Sequence, residues 1–277
     1  MRSVVLLLAL LGACGPSVDR SEPTGLPRSV VLFAPSMTEA ACALGYADRV
    51  VAITDYDRWP PEILDRPRIG GALDPDLERL AVLDPDLLVL QGENERLRQW
   101  AASTGQRIAD VKMDDELESI LDGILRLDDL LGGDGSQAGE ALTARIRTGL
   151  DSIARAVPAK RPRVLLVLSR TPHQLGGIFT AGAGTFLDDL LQIAGATNWA
   201  AAPGYFEVPL DQLAADPPDF VLEYGNDDSP EERARVWSAL PGEPLPVGAV
   251  RFDGLMIPGP RLVQSASALA NALGELR

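Results

Sequence analysis

Histidine is almost absent from this chain of 277 residues, in which His173 is the only one. Zinc and manganese receptors gather two or three imidazoles with carboxylates, so a site of that kind cannot be built here. A Ser-His-Asp triad would depend on this single histidine, for which the sequence offers no clear acid partner. The chain also lacks a complete dinucleotide fingerprint, a phosphate loop and a Gly-x-Ser-x-Gly elbow. The sequence therefore predicts a protein that is not an enzyme and carries no cofactor. A hidden pair of glycosidase carboxylates stays open as an alternative.

Positive charge is scarce as well, because 25 Lys and Arg face 40 Asp and Glu, which leaves a formal net charge of -15. Phosphate binding needs clustered Lys and Arg, so nucleic acid and anionic membrane surfaces are excluded as partners. There are two cysteines. Cys42 lies in an apolar helical stretch and is predicted to be a buried free thiol, since Cys14 belongs to the leader.

The longest apolar run of the leader, Val4 to Leu11, is too short for a membrane span, and no later run is long enough. With Met1-Arg2 before it, this run predicts a secretion signal over residues 1–13. Its end, Leu11-Gly12-Ala13-Cys14, resembles the lipobox of bacterial lipoproteins. We therefore expect lipidation of Cys14, a flexible tether over 14–28, and an exported protein anchored at the periplasmic or cell-surface face of a membrane. An ordinary secretory cleavage site is the alternative.

The rest of the chain contains a repeat. The segment Leu77–Ala81, followed by Pro85-Asp86 and an apolar run, returns without gaps as Leu210–Ala214, followed by Pro218-Asp219 and a second apolar run. Two similar halves in one chain suggest two lobes that face a cleft, a shape typical of ligand capture.

Short apolar runs alternate with helical segments, which predicts an α/β fold with mainly parallel sheets flanked by helices. A long amphipathic segment at 136–158 predicts one helix of about 30 Å that bridges an N-terminal lobe, 29–135, and a C-terminal lobe, 159–277. A single helix that links two lobes restricts hinge bending, so we expect opening and closing to be small. The strand candidates are Ser29–Phe33, Val50–Thr54, Leu87–Leu90, Arg107–Val111, Val164–Leu168, Phe220–Leu222 and Val247–Val250.

Several segments occur in a characteristic order: Ala34-Pro35-Ser36-Met37-Thr38-Glu39, the cluster Asp55 to Glu62, Gly70-Gly71, Phe179-Thr180-Ala181-Gly182 and Pro258-Gly259-Pro260-Arg261. Together with the bridging helix they resemble the substrate-binding proteins of ABC importers for cobalamin, ferric siderophores and haem, also called helical-backbone metal receptors. The resemblance runs from about Ser29 to the C-terminus.

The resemblance implies a monomeric protein that captures a metal chelate between its lobes and hands it to an ABC permease. In the family one acidic residue on each lobe docks against permease arginines, and the matching positions here are Glu78 and Asp211. Asp replaces the more usual Glu at the second position, so the charge is kept with a shorter reach. Alternatively, both carboxylates only favour the dipole of the helix that they begin. A periplasmic scaffold or receptor on the same fold is a different possibility.

Ligands of open α/β sheets bind beyond the carboxyl ends of the strands, which selects the loops expected to line the cleft. Aromatic faces with a few amides suit a large, flat, largely neutral ligand, so a corrinoid is favoured over a ferric siderophore or haem. Against this, tryptophans that cobalamin binders often carry near Gly71, after Leu90 and near Asp253 are missing. The predicted ligand-binding residues are Tyr56, Arg58, Trp59, Gly70, Gly71, Gln91, Asn94, Phe179, Thr180, Tyr224, Asn226, Phe252 and Asp253.

Two further expectations concern charge and metal coordination. Catecholate siderophores are strongly anionic and need several converging cations, for which Arg58, Arg170 and Arg251 are the candidates. His173 is a possible axial ligand for haem iron or cobalt, although a solvent-facing loop histidine is the alternative. We expect no other metal ligand from the protein.

Overall fold

The computed structural model describes residues 25–133, 136–225 and 227–276. The predicted signal, the predicted lipidation site Cys14 and the candidate ligand residue Asn226 lie outside the described residues. Within the described part, no helix combines the length and the apolar character that crossing a membrane requires.

The first half of the chain forms a four-stranded sheet with the order β2-β1-β3-β4, in which all strands are parallel. Its central strands are short runs of Val and Leu without polar residues. Both faces of the sheet are covered by other elements, as such runs require. The strands are β1 Val30–Leu32, β2 Val50–Ala52, β3 Leu87–Leu90 and β4 Ile108–Asp110.

Three helices connect these strands: α1 Pro35–Ala43, α2 Leu77–Leu83 and α3 Glu95–Thr104. The proline at its first position starts α1, where a missing N–H costs nothing. Side chains begin the other two, because the carboxylate of Asp76 caps α2 and the amide oxygen of Asn94 caps α3. At the far end of α3, Gly105 takes a φ of 73°, which favours glycine.

Two helices lie between the halves, α4 Leu117–Gly132 and α5 Ala138–Ala156. The start of α4 touches the second half, where the carboxylate of Asp189 accepts the Leu117 N–H at 2.9 Å. Its other end touches the first half, because Asp128 accepts a hydrogen bond of 2.6 Å from the Tyr46 hydroxyl. Asp128 also accepts from the Gly139 N–H at 2.7 Å, which joins the two helices. The connection is thus a pair of helices, of which the predicted bridging segment, 136–158, supplies one. The lobe boundaries stay a prediction.

The second half forms a six-stranded sheet with the order β10-β9-β5-β6-β8, and a short β7 pairs with β5. The pairings of β5 with β9 and of β9 with β10 are parallel, whereas β6 pairs antiparallel with β5 and β8. The strands are β5 Arg163–Ser169, β6 Phe179–Ala181, β7 Thr197–Asn198, β8 Tyr205–Glu207, β9 Phe220–Tyr224 and β10 Val247–Val250. The helices are α6 Phe186–Ile193, α7 Leu210–Ala215, α8 Pro230–Trp237 and α9 Leu262–Leu276.

This architecture confirms the predicted α/β fold class, and each of the seven predicted strands is present with shifts of one or two residues at most ends. The internal repeat corresponds to α2 with β3 in one half and to α7 with β9 in the other. The strands β6, β7 and β8 were missed. They have two or three residues each, and their polar and aromatic composition lacks the apolar run that marks the others.

The main hydrophobic core does not stop at the boundary between the halves. It joins side chains of the first sheet, such as Val30 and Leu87, to side chains of the second, such as Val164 and Leu222. Buried residues of α4, α5, α6 and α9 fill the space between them. Separating the halves would expose this apolar surface to water, so the shared core favours small movements of one half against the other.

Candidate functional site

Two exposed aromatic side chains follow β2 at the carboxyl end of the first sheet. Tyr56 is 67% exposed and Trp59 is 44% exposed. Their loop is stabilised by Asp57. The buried carboxylate of this residue accepts hydrogen bonds from the N–H and the hydroxyl of Thr54 at 2.7 and 2.6 Å. The guanidinium of Arg68 donates to the Thr54 carbonyl at 2.7 Å. The fold thus fixes the backbone of this loop and leaves both aromatic side chains partly exposed.

Burial and hydrogen bonding act in opposite directions on the pKa of the Asp57 carboxyl. Desolvation raises the pKa of Asp57, while the two hydrogen bonds from Thr54 act in the opposite direction. Its second oxygen, Oδ1, is buried without a hydrogen-bond partner. Asp57 thus fixes Thr54, whose hydroxyl accepts the Tyr56 N–H at 3.2 Å.

The two glycines predicted to let a ligand approach the backbone have other neighbours. A Cβ on Gly71 would come within 2.8 Å of the Tyr56 ring, so this ring packs on the glycine. Gly70 has a φ of 79°, and a Cβ there would lie 2.6 Å from the Asp74 carbonyl oxygen. Gly70 allows the backbone conformation of the loop. Gly71 leaves room for the Tyr56 ring, which covers it.

An arginine joins the two halves of the chain. Arg261 donates from Nε to Glu39 Oε2 at 2.7 Å, which links the Pro258–Arg261 segment to the first helix. Its guanidinium carbon lies 5.5 Å from the centre of the Trp59 ring and 5.3 Å from that of Phe252. One cation thus contacts an aromatic ring from each half. A Cβ on Gly254 would lie 2.7 Å from this guanidinium and from the Phe252 ring, so a larger residue there would force one of these side chains to shift.

The electrostatics of this junction follow from burial. Desolvation raises the pKa of Glu39, and the hydrogen bonds and charge of Arg261 offset part of that rise. The Glu39 side chain is 3% exposed and the Arg261 side chain 17% exposed. The sequence shows the two motifs that contain these residues but not their contact, because 222 positions separate them.

A second aromatic surface lies in the C-terminal half. Phe179 and Tyr205 stack with ring centres 6.4 Å apart and an angle of 17° between the rings, and both are more than a third exposed. Burial of the phenol raises the pKa of Tyr205 to about 12, and the nearby carboxylates Asp114 and Asp115 add to the rise. Sequence reasoning found Phe179 but missed Tyr205. The sequence signal that could have revealed Tyr205 is the turn at Gly204, which two aromatic residues follow.

Several predicted ligand residues are engaged within the protein. Thr180 is fully buried and its hydroxyl donates to the Leu166 carbonyl at 2.7 Å, so its role in ligand binding stays a prediction that this burial does not favour. The Asn94 amide caps α3 and donates to the Ala72 carbonyl, which ties two cleft loops together. Gln91 follows β3 and has a buried amide oxygen without a hydrogen-bond partner.

The remaining predicted side chains lie at the carboxyl ends of β2, β9 and β10. Tyr224 and Phe252 are half-buried, and the Tyr224 hydroxyl donates to the Asp253 carbonyl at 3.3 Å. Together with Gly225 and Arg251 they line a pocket of about 370 Å³. Arg58 is exposed and donates to two main-chain carbonyls of its own loop at 2.6 and 3.0 Å.

The structure removes one of the three cations considered for an anionic ligand. The Arg170 side chain is fully buried, with its Nε 2.6 Å from Glu223 Oε1 and its Nη2 paired with Asp228. Glu223 also accepts from Arg233 and from the Trp237 indole at 2.9 and 2.6 Å. These charges neutralise one another inside the second half, so the expectation that Arg170 is available to a siderophore is wrong.

His173 has an acid partner after all, which corrects the sequence-based expectation. Its Nδ1 lies 3.2 Å from Asp228 Oδ1, and its side chain is 63% exposed. Glu232 lies close enough for the three side chains to surround a metal ion, with ligand atoms within 4.8 Å of one another. Asp228 is however bound to Arg170, and Glu232 accepts from the Ser229 N–H in the cap of α8. Both carboxylates therefore already serve structural roles.

The two predicted docking carboxylates occupy equivalent places. Glu78 lies in the first turn of α2 and Asp211 in the first turn of α7, and both are exposed. The dipole of each helix favours a carboxylate there. Val82, one turn after Glu78 on the same face of α2, is 86% exposed.

Comparison with known proteins agrees with this architecture. The chain is 24% identical over 280 residues to the vitamin B12-binding protein of Yersinia pseudotuberculosis. This alignment covers 99% of this chain and 93% of that protein. A periplasmic heme binding protein from Pseudomonas aeruginosa has a TM-score of 0.73 and 26% identity, over 89% of this chain and 92% of its own. The periplasmic vitamin B12 binding protein of Vibrio cholerae shares the fold, with a TM-score of 0.70 and 23% identity over 90% and 98% of the chains.

The family model described as periplasmic binding protein matches residues 30–236. This match covers most of the first sheet, both connecting helices and the second half as far as α8. The chain therefore belongs to the periplasmic binding protein family, whose members are extracytoplasmic substrate-binding proteins of transporters and not enzymes.

Proposed function

We propose that this protein captures a corrinoid in the cleft between its halves and delivers it to an ABC permease. The observation that carries the proposal is the arrangement of aromatic side chains at the strand ends of both halves. Tyr56 and Trp59 stand on one side, and Phe179, Tyr205 and Phe252 on the other. A flat macrocycle with apolar faces and peripheral amides is a ligand that such walls suit. The names of the B12-binding relatives support the same choice.

Haem or a ferric siderophore is the alternative, and the likeness to a heme binding protein at 26% identity favours it. Anionic carboxylates or catecholates call for converging cations. Arg170 is neutralised in the interior and Arg261 is paired with Glu39. Two of the arginines near the strand ends therefore form ion pairs within the protein and do not offer their charge to a ligand. His173 is aimed at Asp228, which makes it a poor axial ligand in this conformation. The corrinoid proposal meets neither difficulty.

Delivery is proposed to depend on the exposed carboxylates Glu78 and Asp211, one on each half, which would dock against cations of the permease. We further propose that Cys14 carries a lipid anchor, that the protein acts as a monomer, and that it has no catalytic role. The matched first-turn positions on α2 and α7 support docking, because two equivalent contacts would fix the orientation of the cleft over the permease.

The test is a titration of the purified protein with cyanocobalamin, cobinamide, haemin and a panel of ferric siderophores. Tryptophan fluorescence gives the binding curve and calorimetry checks it. We expect saturable corrinoid binding at about micromolar affinity or tighter, weakened by Tyr56→Ala at least about tenfold through loss of one stacked ring. Val82→Ala removes another exposed apolar side chain, outside the cleft, and is the matched control.

Each outcome separates the candidates. Corrinoid binding that depends on Tyr56 supports the proposal and locates the ligand. Binding of haemin or a siderophore alone would keep the importer role and overturn the ligand. Corrinoid binding that Tyr56→Ala and Val82→Ala weaken equally would overturn the proposed location in the cleft.

A further inference from the structure

The loops at the carboxyl ends of both sheets are rich in carboxylates. In the first half they follow β2, β3 and β4, and in the second half they follow β9 and β10. All of them are exposed except Asp114, which is half-buried. They are Asp55, Glu93, Asp114, Asp115, Glu116, Asp227 and Asp253.

Most cations near these strand ends are committed to other carboxylates. Lys112 pairs with Asp115, and Arg98 pairs with Asp110. Arg170 and Arg261 are held in the ion pairs described above. Among the described residues of these loops, the exposed arginines Arg58 and Arg251 are outnumbered by the carboxylates that Lys112 does not pair, which are Asp55, Glu93, Asp114, Glu116, Asp227 and Asp253. The proposed cleft therefore carries a negative potential.

Part of this acidity lies where the two halves meet. The Asp115 carbonyl accepts the Phe186 N–H at 2.8 Å, which brings the segment Asp114–Glu116 against the second half. Asp114 and Asp115 act on the Tyr205 phenol, whose pKa they help to raise, and the Tyr205 ring stacks with Phe179. Carboxylates beside exposed aromatic faces are an arrangement that attracts cations.

Two hydrogen-bond acceptors without partners also favour a cationic ligand in the proposed cleft. The Oδ1 atom of Asp114 and the Oε1 atom of Gln91 are buried without a hydrogen-bond partner, and they follow the neighbouring strands β4 and β3. Buried acceptors are costly until a donor satisfies them. A ligand that brings N–H groups and positive charge would supply what both positions lack.

We propose that the cleft selects corrinoids by charge and prefers a cationic corrinoid to a neutral one. The inference rests on the proposed function, because it assumes that a corrinoid occupies the cleft. Aquacobalamin and cyanocobalamin form a matched pair of probes. They share the corrin, its amides and the nucleotide, and they differ in the axial ligand, so the water complex carries one more positive charge.

The experiment titrates the full-length protein with both cobalamins at about 20 mM and about 300 mM salt, which changes the screening length severalfold. At low salt we expect aquacobalamin to bind about three- to tenfold more tightly, as one unit charge near several carboxylates in a partly aqueous site implies. High salt reduces this ratio. Asp114→Asn also reduces it. Glu140→Gln, which removes an exposed carboxylate from the start of α5, leaves it unchanged.

The outcomes are distinguishable. Equal affinities with equal salt dependence would overturn charge selection while corrinoid binding stands. A preference for aquacobalamin that disappears in His173→Ala would also overturn it, because coordination to cobalt would then be the cause. Failure of both cobalamins to bind would instead overturn the proposed function. A ratio that Asp114→Asn and salt both lower, with unchanged thermal unfolding, supports the inference.

Discussion

Removing Arg261 tests how the two halves are held together. Arg261→Met keeps much of the side-chain volume but leaves Glu39, 3% exposed, as a buried carboxylate without its partner. Breaking a buried ion pair in this way costs about 3–5 kcal/mol, and the 17% exposure of Arg261 places this case near about 3 kcal/mol. Glu39→Gln removes the same pair but leaves a cation that keeps its contacts with Trp59 and Phe252. We expect a smaller loss, about 1–2 kcal/mol.

The loss in Arg261→Met depends on pH with a definite sign. Burial already raises the pKa of Glu39 from its usual 4.5, and loss of the cation raises it further. A raised carboxyl pKa means that the folded state binds the proton more readily than the unfolded state, so stability falls as pH rises from 4.5 through the folded pKa. The deficit of Arg261→Met relative to the parent is therefore largest at neutral pH. It shrinks as pH falls toward 4.5.

Urea unfolding followed by circular dichroism at pH 7 and pH 5 measures both effects. The shared core favours a single transition, which makes the free energies comparable. The double variant completes a cycle that isolates the coupling between Arg261 and Glu39. A deficit that is equal at both pH values, or a Glu39→Gln variant as unstable as Arg261→Met, would refute the assignment of this pair as a buried and coupled one.

Two further predictions concern the neighbourhood of the cleft. Gly71→Ala would place a Cβ 2.8 Å from the Tyr56 ring, so we expect the ring to shift and corrinoid affinity to fall severalfold, with a change in unfolding free energy below about 1 kcal/mol. A titration and a urea curve on the same sample check this; a large loss of stability would contradict it. Burial raises the pKa of the Cys42 thiol to about 12, with smaller effects from nearby carboxylates. The structure leaves Cys42 half-buried, not fully buried as expected from the sequence. Iodoacetamide at pH 8 should therefore label it more slowly in the folded protein than in urea, as mass spectrometry would show, whereas equal rates would contradict the raised pKa.

The parts of the fold that sequence predicted are those with a strong local signal. The runs of β1 and β3 were found because their Val and Leu residues are buried on both faces of a sheet, which leaves no polar position to blur the pattern. The strands β6 and β8 were not predicted from the sequence, because each has three residues and forms only by pairing with its neighbour. Their antiparallel pairing is a tertiary property that no local run reports.

The candidate site shows the same limit. The sequence located the loop of Tyr56 and Trp59, since it follows a clear strand, but it left Arg170 as an available cation. The ion pairs of Arg170 with Glu223 and Asp228 join residues more than fifty positions apart. The contact of Arg261 with Glu39 spans most of the chain. Charge neutralisation by distant partners decides which side chains a ligand can meet, and residue order does not reveal it.

The core that continues across the two halves has a consequence for protein engineering. A half expressed alone would present the apolar faces that now bury Val30, Leu87, Val164 and Leu222, and such a fragment should aggregate. A chimera that took one half from a relative would have to exchange the matching faces of α4, α5 and α9 too. New ligand specificities are therefore more accessible by grafting loops at the strand ends than by recombining halves.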